Sequence, residues 1–180
     1  MPLYVAVVFI LAALASPWPG PAQATAEPGL RLDLPFTEQV KEGCGSAAIS
    51  MVMNWWKAQG HPISGDDVAA IHRAVYSKKA KGTPAIELER YFERHGFRAY
   101  AFAGGWEDLT EHLGKGRPLL VALRPPGQRQ LHYVVVSGVS PTGVLLHDPA
   151  RKPFRFLDRA EFEKQWAASQ HWTLLALPAQ

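Results

Sequence analysis

The sequence predicts an α+β fold in which a helix bearing the single cysteine packs on an antiparallel sheet. Three observations carry this expectation. Helical patterns dominate from residue 45 to residue 95, and strand patterns dominate from residue 97 onward, an order that suits separate helical and sheet layers. The strands are short apolar runs joined by turn signals, as in a meander. Cys44 stands where an irregular stretch, residues 39–44, gives way to the longest helical pattern.

The elements follow in order. Leu30-Arg-Leu-Asp-Leu34 alternates like a short strand. Ala48, Met51, Val52 and Trp55 recur at steps of three and four, one face of a helix from about residue 45 to a C-cap near Gly60. Ser64-Gly-Asp-Asp67 resembles a capping box, with Asp replacing Glu, and opens a second helix through Ala74. Residues 78–82 form a polar loop. Thr83 and Pro84 then read as N-cap and first residue of a third helix, with Glu87 in its first turn. That helix carries Ile86, Leu88, Tyr91 and Phe92 and stops at Gly96. Residues 97–102 alternate as a strand, and residues 106–113 form a short helix closed by Gly114.

The run Leu119-Leu-Val-Ala-Leu123 is too short for a helix and reads as a buried strand. Residues 132–138 are a β-branched strand. Pro141-Thr-Gly143 turns the chain into a strand at 144–147 that ends on Asp148-Pro149. Asp158 caps a helix over residues 159–166, and residues 172–177 form the last strand.

Length and composition fit one globular domain: 180 residues, 47% hydrophobic and 19% charged. Formal net charge is +3. Lys78, Lys79 and Lys81 make the only tight basic cluster, and no aromatic residues interleave with it, so it reads as a solvated loop and no nucleic-acid partner is expected. No His-x-x-x-His pair or cysteine cluster points to a metal, and no cofactor is expected.

Residues 1–26 have a different character. Residues 3–15 are an uncharged apolar run of signal-peptide length, although no Lys or Arg precedes it. Pro17, Pro19, Gly20 and Pro21 break the run, and Ala22-Gln-Ala24 and Ala24-Thr-Ala26 both fit the small-x-small cleavage pattern. The pattern predicts a signal peptide over 1–26, a domain over 27–180 and a periplasmic or secreted location. No stable membrane insertion is expected after cleavage; an uncleaved anchor is the alternative. A lone cysteine in an exported protein forms no internal disulfide, so Cys44 is then a reactive thiol or half of an intermolecular bridge.

Cys44 at a helix start meets free N–H groups and the positive end of the helix dipole, both of which favour thiolate. As a packing residue it would be a small buried hydrophobe, but Gly43 and Gly45 on either side are poor company for that role. Gln39, five residues upstream, is an amide donor of the kind that acyl transfer needs beside a developing oxyanion. His132 starts one strand and Asp148 ends the next, so antiparallel pairing brings them together. A histidine held by a carboxylate keeps its tautomer and can stabilise a thiolate. His147 adjoins Asp148, and only one of the two can aim at His132. The carboxylate is the better partner for an imidazolium.

Gln39 to Cys44-Gly45, His132-Tyr-Val-Val-Val-Ser-Gly138 and Asp148-Pro149 together resemble the double-glycine, or bacteriocin-processing, cysteine peptidases. The resemblance covers residues 35–177 and implies a papain-like domain. It implies Cys44 as nucleophile, His132 as general base and acid, and Asp148 as orienting carboxylate. Gln39 and the Cys44 N–H would be oxyanion donors, and the partner would be a peptide or protein substrate. Two alternatives stay open: a peptide-binding module of the same fold, and a cell-wall peptidase or amidase of the NlpC class.

Overall fold

The computed structural model describes residues 29–179. The expected signal segment, residues 1–26, lies outside them. The elements run β1 (Leu30–Arg31), α1 (Cys44–Ala58), α2 (Val68–Val75), α3 (Ala85–Arg94), β2 (Phe97–Ala103) and α4 (Trp106–Gly114). They continue with β3 (Leu119–Leu123), β4 (His132–Ser140), β5 (Gly143–Asp148), β6 (Lys152–Asp158), α5 (Arg159–Ala167) and β7 (Trp172–Pro178).

The strands form one antiparallel sheet in the order β2-β7-β3-β4-β5-β6. β1 lies along the second half of β4, where Leu30 meets Val139 and Arg31 meets Gly138. Successive side chains on a strand go to opposite faces, and here both faces are buried. Leu120, Ala122, Val135 and Leu174 pack against Ile49, Met51, Val52, Leu88 and Phe92 of α1 and α3. Leu119, Val121, Val134, Val136 and Val144 pack against Leu109, Leu113, Phe162 and Trp166 of α4 and α5. The expected layer of sheet on one long helix is present, and α4 and α5 add a second helical layer. Burial on both sides is why β3 and β4 read as unbroken apolar runs.

α1 is an interior helix: every residue from Gly45 to Met53 is buried. Its buried hydroxyls are satisfied locally, Ser46 Oγ donating to Gly43 O and Ser50 Oγ to Asp66 O, each at 2.8 Å. The two tryptophans pin its far end, Trp55 Nε1 donating to Gly116 O at 2.9 Å and Trp56 Nε1 to Ala176 O at 3.0 Å. The helix stops at Ala58, and Gly60 takes a left-handed φ of +88° just beyond it.

Two caps differ from expectation. At α2 the capping group is Asp67, whose carboxylate accepts from Ala70 N at 2.8 Å, rather than Ser64. At α3 the N-cap is Pro84, and Thr83 turns inward instead of capping. β6 has no counterpart in the sequence reading. It is an edge strand that opens on Lys152 and Pro153; Phe154 and Phe156 alternate about Arg155, but Phe156 is exposed and only Leu157 is buried.

Candidate active site

Cys44 is the first residue of α1, and its N-cap, Gly43, offers no side chain to the free N–H groups of the first turn. Gly45 must be glycine: a Cβ there would lie 2.6 Å from Thr83 Cβ. That close approach draws residue 83 to the side of the thiol. The segment before Cys44 is held in an unusual conformation. Gly43 N donates to Val40 O at 2.9 Å, and Glu42 adopts a left-handed φ of 57°, uncommon outside glycine. Tyr76, just past α2, donates its hydroxyl to Glu42 Oε2 at 2.5 Å. Gln39 N donates to Pro149 O at 3.0 Å, which ties the start of this loop to the residue after Asp148.

His132 opens β4 opposite Leu123 of β3, and Asp148 closes β5. The β4–β5 register shifts between Val136 and Gly138, and His132 Nε2 reaches Asp148 Oδ1 at 2.7 Å. With Nε2 engaged, Nδ1 is the ring nitrogen available to Cys44. His147 points to the opposite face, where Nε2 donates to Leu34 O at 2.9 Å between the rings of Phe36 and Phe154. Burial there lowers its pKa, so it stays a neutral, structural imidazole.

Asp148 is only 2% exposed, and its charge is well surrounded. Oδ1 also accepts from Ala150 N at 3.2 Å, while Oδ2 lies 3.4 Å from Arg155 and 3.6 Å from Arg151. Burial alone would raise its pKa, but the His132 hydrogen bond and charge, with Ala150 N–H and Arg155, hold it below the usual aspartate value.

Cys44 and His132 shift each other in opposite directions. Burial opposes the thiolate, yet the hydrogen bond and charge of His132, with the Tyr133 and Gly45 backbone N–H groups, leave the Cys44 pKa lowered. Burial also opposes the imidazolium, yet Asp148 and Cys44 raise the His132 pKa to about 9. The two shifts favour the thiolate–imidazolium form of the pair over the neutral one. The same thiolate, added to burial, raises the pKa of Tyr133.

Cys44, His132, Asp148 and Gln39 line one cleft of about 700 Å3. Gln39 Oε1 and Thr83 Oγ1 are buried at its wall without a hydrogen-bond partner among the described residues. Sequence reasoning did not find Glu42, Tyr76, Thr83, Arg151 or Arg155. Glu42 and Tyr76 meet across 34 positions with no shared motif, and Arg155 sits on β6, a strand with no counterpart in the sequence reading.

Residues 31–173 match the Peptidase C39 like family. The lactococcin-G-processing and transport ATP-binding protein LagD of Lactococcus lactis subsp. lactis is 33% identical over 130 residues, 72% of this chain. The match spans 17% of the length of that relative. Among solved structures, the peptidase domain of Streptococcus ComA, a bifunctional ABC transporter involved in quorum sensing, superposes with a TM-score of 0.62 at 21% identity. That match covers 79% of this chain and 97% of the ComA domain. A double glycine motif protease from an AMS/PCAT transporter, solved with its leader peptide, gives 0.63 at 19% identity, covering 83% and 94%. Both share the papain-like arrangement of helix and antiparallel sheet. The chain therefore belongs to the peptidase C39-like family, a family of cysteine-type peptidases.

Proposed function

We propose that the chain hydrolyses a peptide bond in a peptide or protein substrate outside the cytoplasm, through a Cys44–His132–Asp148 triad. The observation that supports this most is the opposed pair of pKa shifts in one cleft, with Asp148 Oδ1 2.7 Å behind the imidazole. Cys44 Sγ, as the thiolate whose proton His132 holds, bonds to the scissile carbonyl carbon, and the carbonyl π electrons move to oxygen. The Cys44 backbone N–H and the Gln39 side chain are the donors to that oxyanion. As the C–N bond breaks, His132 gives its proton to the leaving amine and an acyl thioester remains. Water then adds to the thioester with His132 as base, the acid leaves, and the thiolate–imidazolium pair returns. Asp148 orients His132 and stabilises its charge throughout.

Profiling of the protein beside Cys44→Ala tests this, using peptide libraries, double-glycine leader peptides and purified peptidoglycan. Cleavage of peptides by the unmutated protein only is expected. Release of fragments from peptidoglycan alone would favour the cell-wall reading, and tight peptide binding without turnover the binding-module reading. In the same assay Gln39→Ala is expected to lower turnover by about 100-fold or more with little change in KM. Unchanged turnover would leave Gln39 as a loop residue only.

Export is supported by the apolar run at 3–15 and the two Ala-x-Ala patterns. The protein isolated from its native host is expected to begin at Thr25 or Glu27 by mass spectrometry. A Met1 terminus in the membrane fraction would make the segment an anchor.

A further inference from the structure

We infer that the cleft selects acidic peptides, with Asp or Glu within a few residues of the scissile bond. This deepens the peptidase reading above and rests on it. Of the carboxylates at the cleft, Asp148 is ion-paired and Glu42 keeps a single negative charge but is engaged by a hydroxyl. Among the described residues only Glu42 and Asp148 line it as acids. Glu42 accepts from Tyr76, and Asp148 is held by His132, Ala150 N–H, Arg155 and Arg151.

Arg151 and Arg155 also line the cleft and are taken up by Asp148, but Lys81 in its lining and other cations on the neighbouring loops are not paired. A bridge between Ser77 and Gly82 closes a tight turn that presents Lys78, Lys79 and Lys81, and Lys81 itself lines the cleft. The segment between β3 and β4 contributes Pro125, Pro126, Gln128 and Gln130 to the wall and carries Arg124 and Arg129, both exposed. None of these five cations is in an ion pair among the described residues. Unpaired charge of one sign around a concave surface concentrates the potential inside it, and so raises the local concentration of ligands of opposite sign. The Cys44–His132 pair carries no net charge whether their shared proton sits on sulfur or on the imidazole, so it does not cancel this field. A neutral substrate gains nothing from such a rim, whereas each Asp or Glu beside the scissile bond finds a cation without displacing an internal partner.

Two measurements test the inference. The first is library profiling at low and high salt with the unmutated protein and with Lys78, Lys79, Lys81, Arg124 and Arg129 all changed to Gln. The expected result is enrichment of Asp and Glu around the cleaved bond, about tenfold in kcat/KM over the amide-matched peptide, weakened by salt and lost in the variant. The second is alkylation of Cys44 by iodoacetate, an anion, and iodoacetamide, its neutral counterpart. The ratio of the two rates is expected to fall several-fold in the variant, while the iodoacetamide rate reports an intact site. Peptide cleavage with no acidic preference, or a preference and rate ratio indifferent to the five changes, would overturn the inference and leave the peptidase reading standing. A Cys44 no more reactive than free cysteine to either reagent would remove the peptidase reading itself. Binding of the protein to phosphatidylserine vesicles through these cations, without acidic-peptide preference, would assign them to a membrane surface and overturn the inference as well.

Discussion

Alanine in place of His132 is expected to lower peptide turnover by about 10⁴-fold or more, as much as Cys44→Ala. The reason lies in the balance at the thiol. Burial pushes the Cys44 pKa up, and His132 is the main force pulling it down. Without the imidazole, only the Tyr133 and Gly45 backbone N–H groups oppose burial. The alkylation pKa of Cys44 is then expected to rise to the free value of about 8.5 or above. The unmutated protein should alkylate with a lower pKa than that variant, and its activity should fade on the alkaline side near pH 9, as the imidazolium loses its proton. These limits belong to the pair rather than to either residue. For the same reason the double variant Cys44→Ala/His132→Ala should be no worse than either single change. An alkylation profile in His132→Ala that overlays the unmutated one would show that the two residues do not act together.

Asp148→Ala is expected to cost both activity and stability. Turnover should fall about 100-fold, less than for His132→Ala, because the imidazole remains but is loosely held. The structural cost is larger than a turn residue would predict. The change leaves Arg155 without its carboxylate and His132 with Cys44 as its remaining partner, and breaking such a buried pair costs on the order of 3 kcal/mol. The pH dependence has a definite sign. Asp148 has a lowered folded pKa, so its contribution is present above the unfolded value near 3.9 and disappears as pH falls through the folded one. His132 has a raised folded pKa, so its contribution is present below its unfolded value and disappears as pH rises through about 9. Urea unfolding from pH 3 to pH 10 should therefore show a plateau that Asp148→Ala lowers and flattens at both ends. Equal stability of the two proteins at pH 7 would mean that the carboxylate does not carry the imidazolium.

Much of this arrangement is legible locally. β3 announces itself because five consecutive apolar residues cannot build a helix, and the start of α1 because Gly43, Cys44 and Gly45 interrupt and then release a helical period. The pairing of His132 with Asp148 follows from two adjacent strands; alternation lets only one of His147 and Asp148 face His132, and the chemistry of an imidazolium picks the carboxylate. The rest depends on distant chain. Thr83 reads as an N-cap by composition, but the bare Gly45 draws it inward, a contact across 38 positions that no local rule contains. β6 is not legible because Lys152 and Pro153 open it and only Leu157 is buried, and with it goes Arg155, which helps hold the Asp148 charge. Glu42 gives no sign of its left-handed backbone, since that conformation is sustained by the Tyr76 hydroxyl and the turn beginning at Val40.

The place of β7 bears on how the protein comes to be folded. It follows the six other strands in sequence, yet it lies between β2 and β3, pairing Leu175 with Tyr100 on one side and with Leu119 on the other. During synthesis β2 therefore has no strand to join until residues 172–178 have emerged. Until then α1 also lacks Leu174 and Ala176, part of the floor on which it rests, and the acceptor that Trp56 bonds. Contacts of such long sequence separation close late and slowly. A chain that has not yet placed β7 thus lacks both the strand that joins β2 to the rest of the sheet and the support for the far end of α1, so the fold is complete only when its last strand is seated.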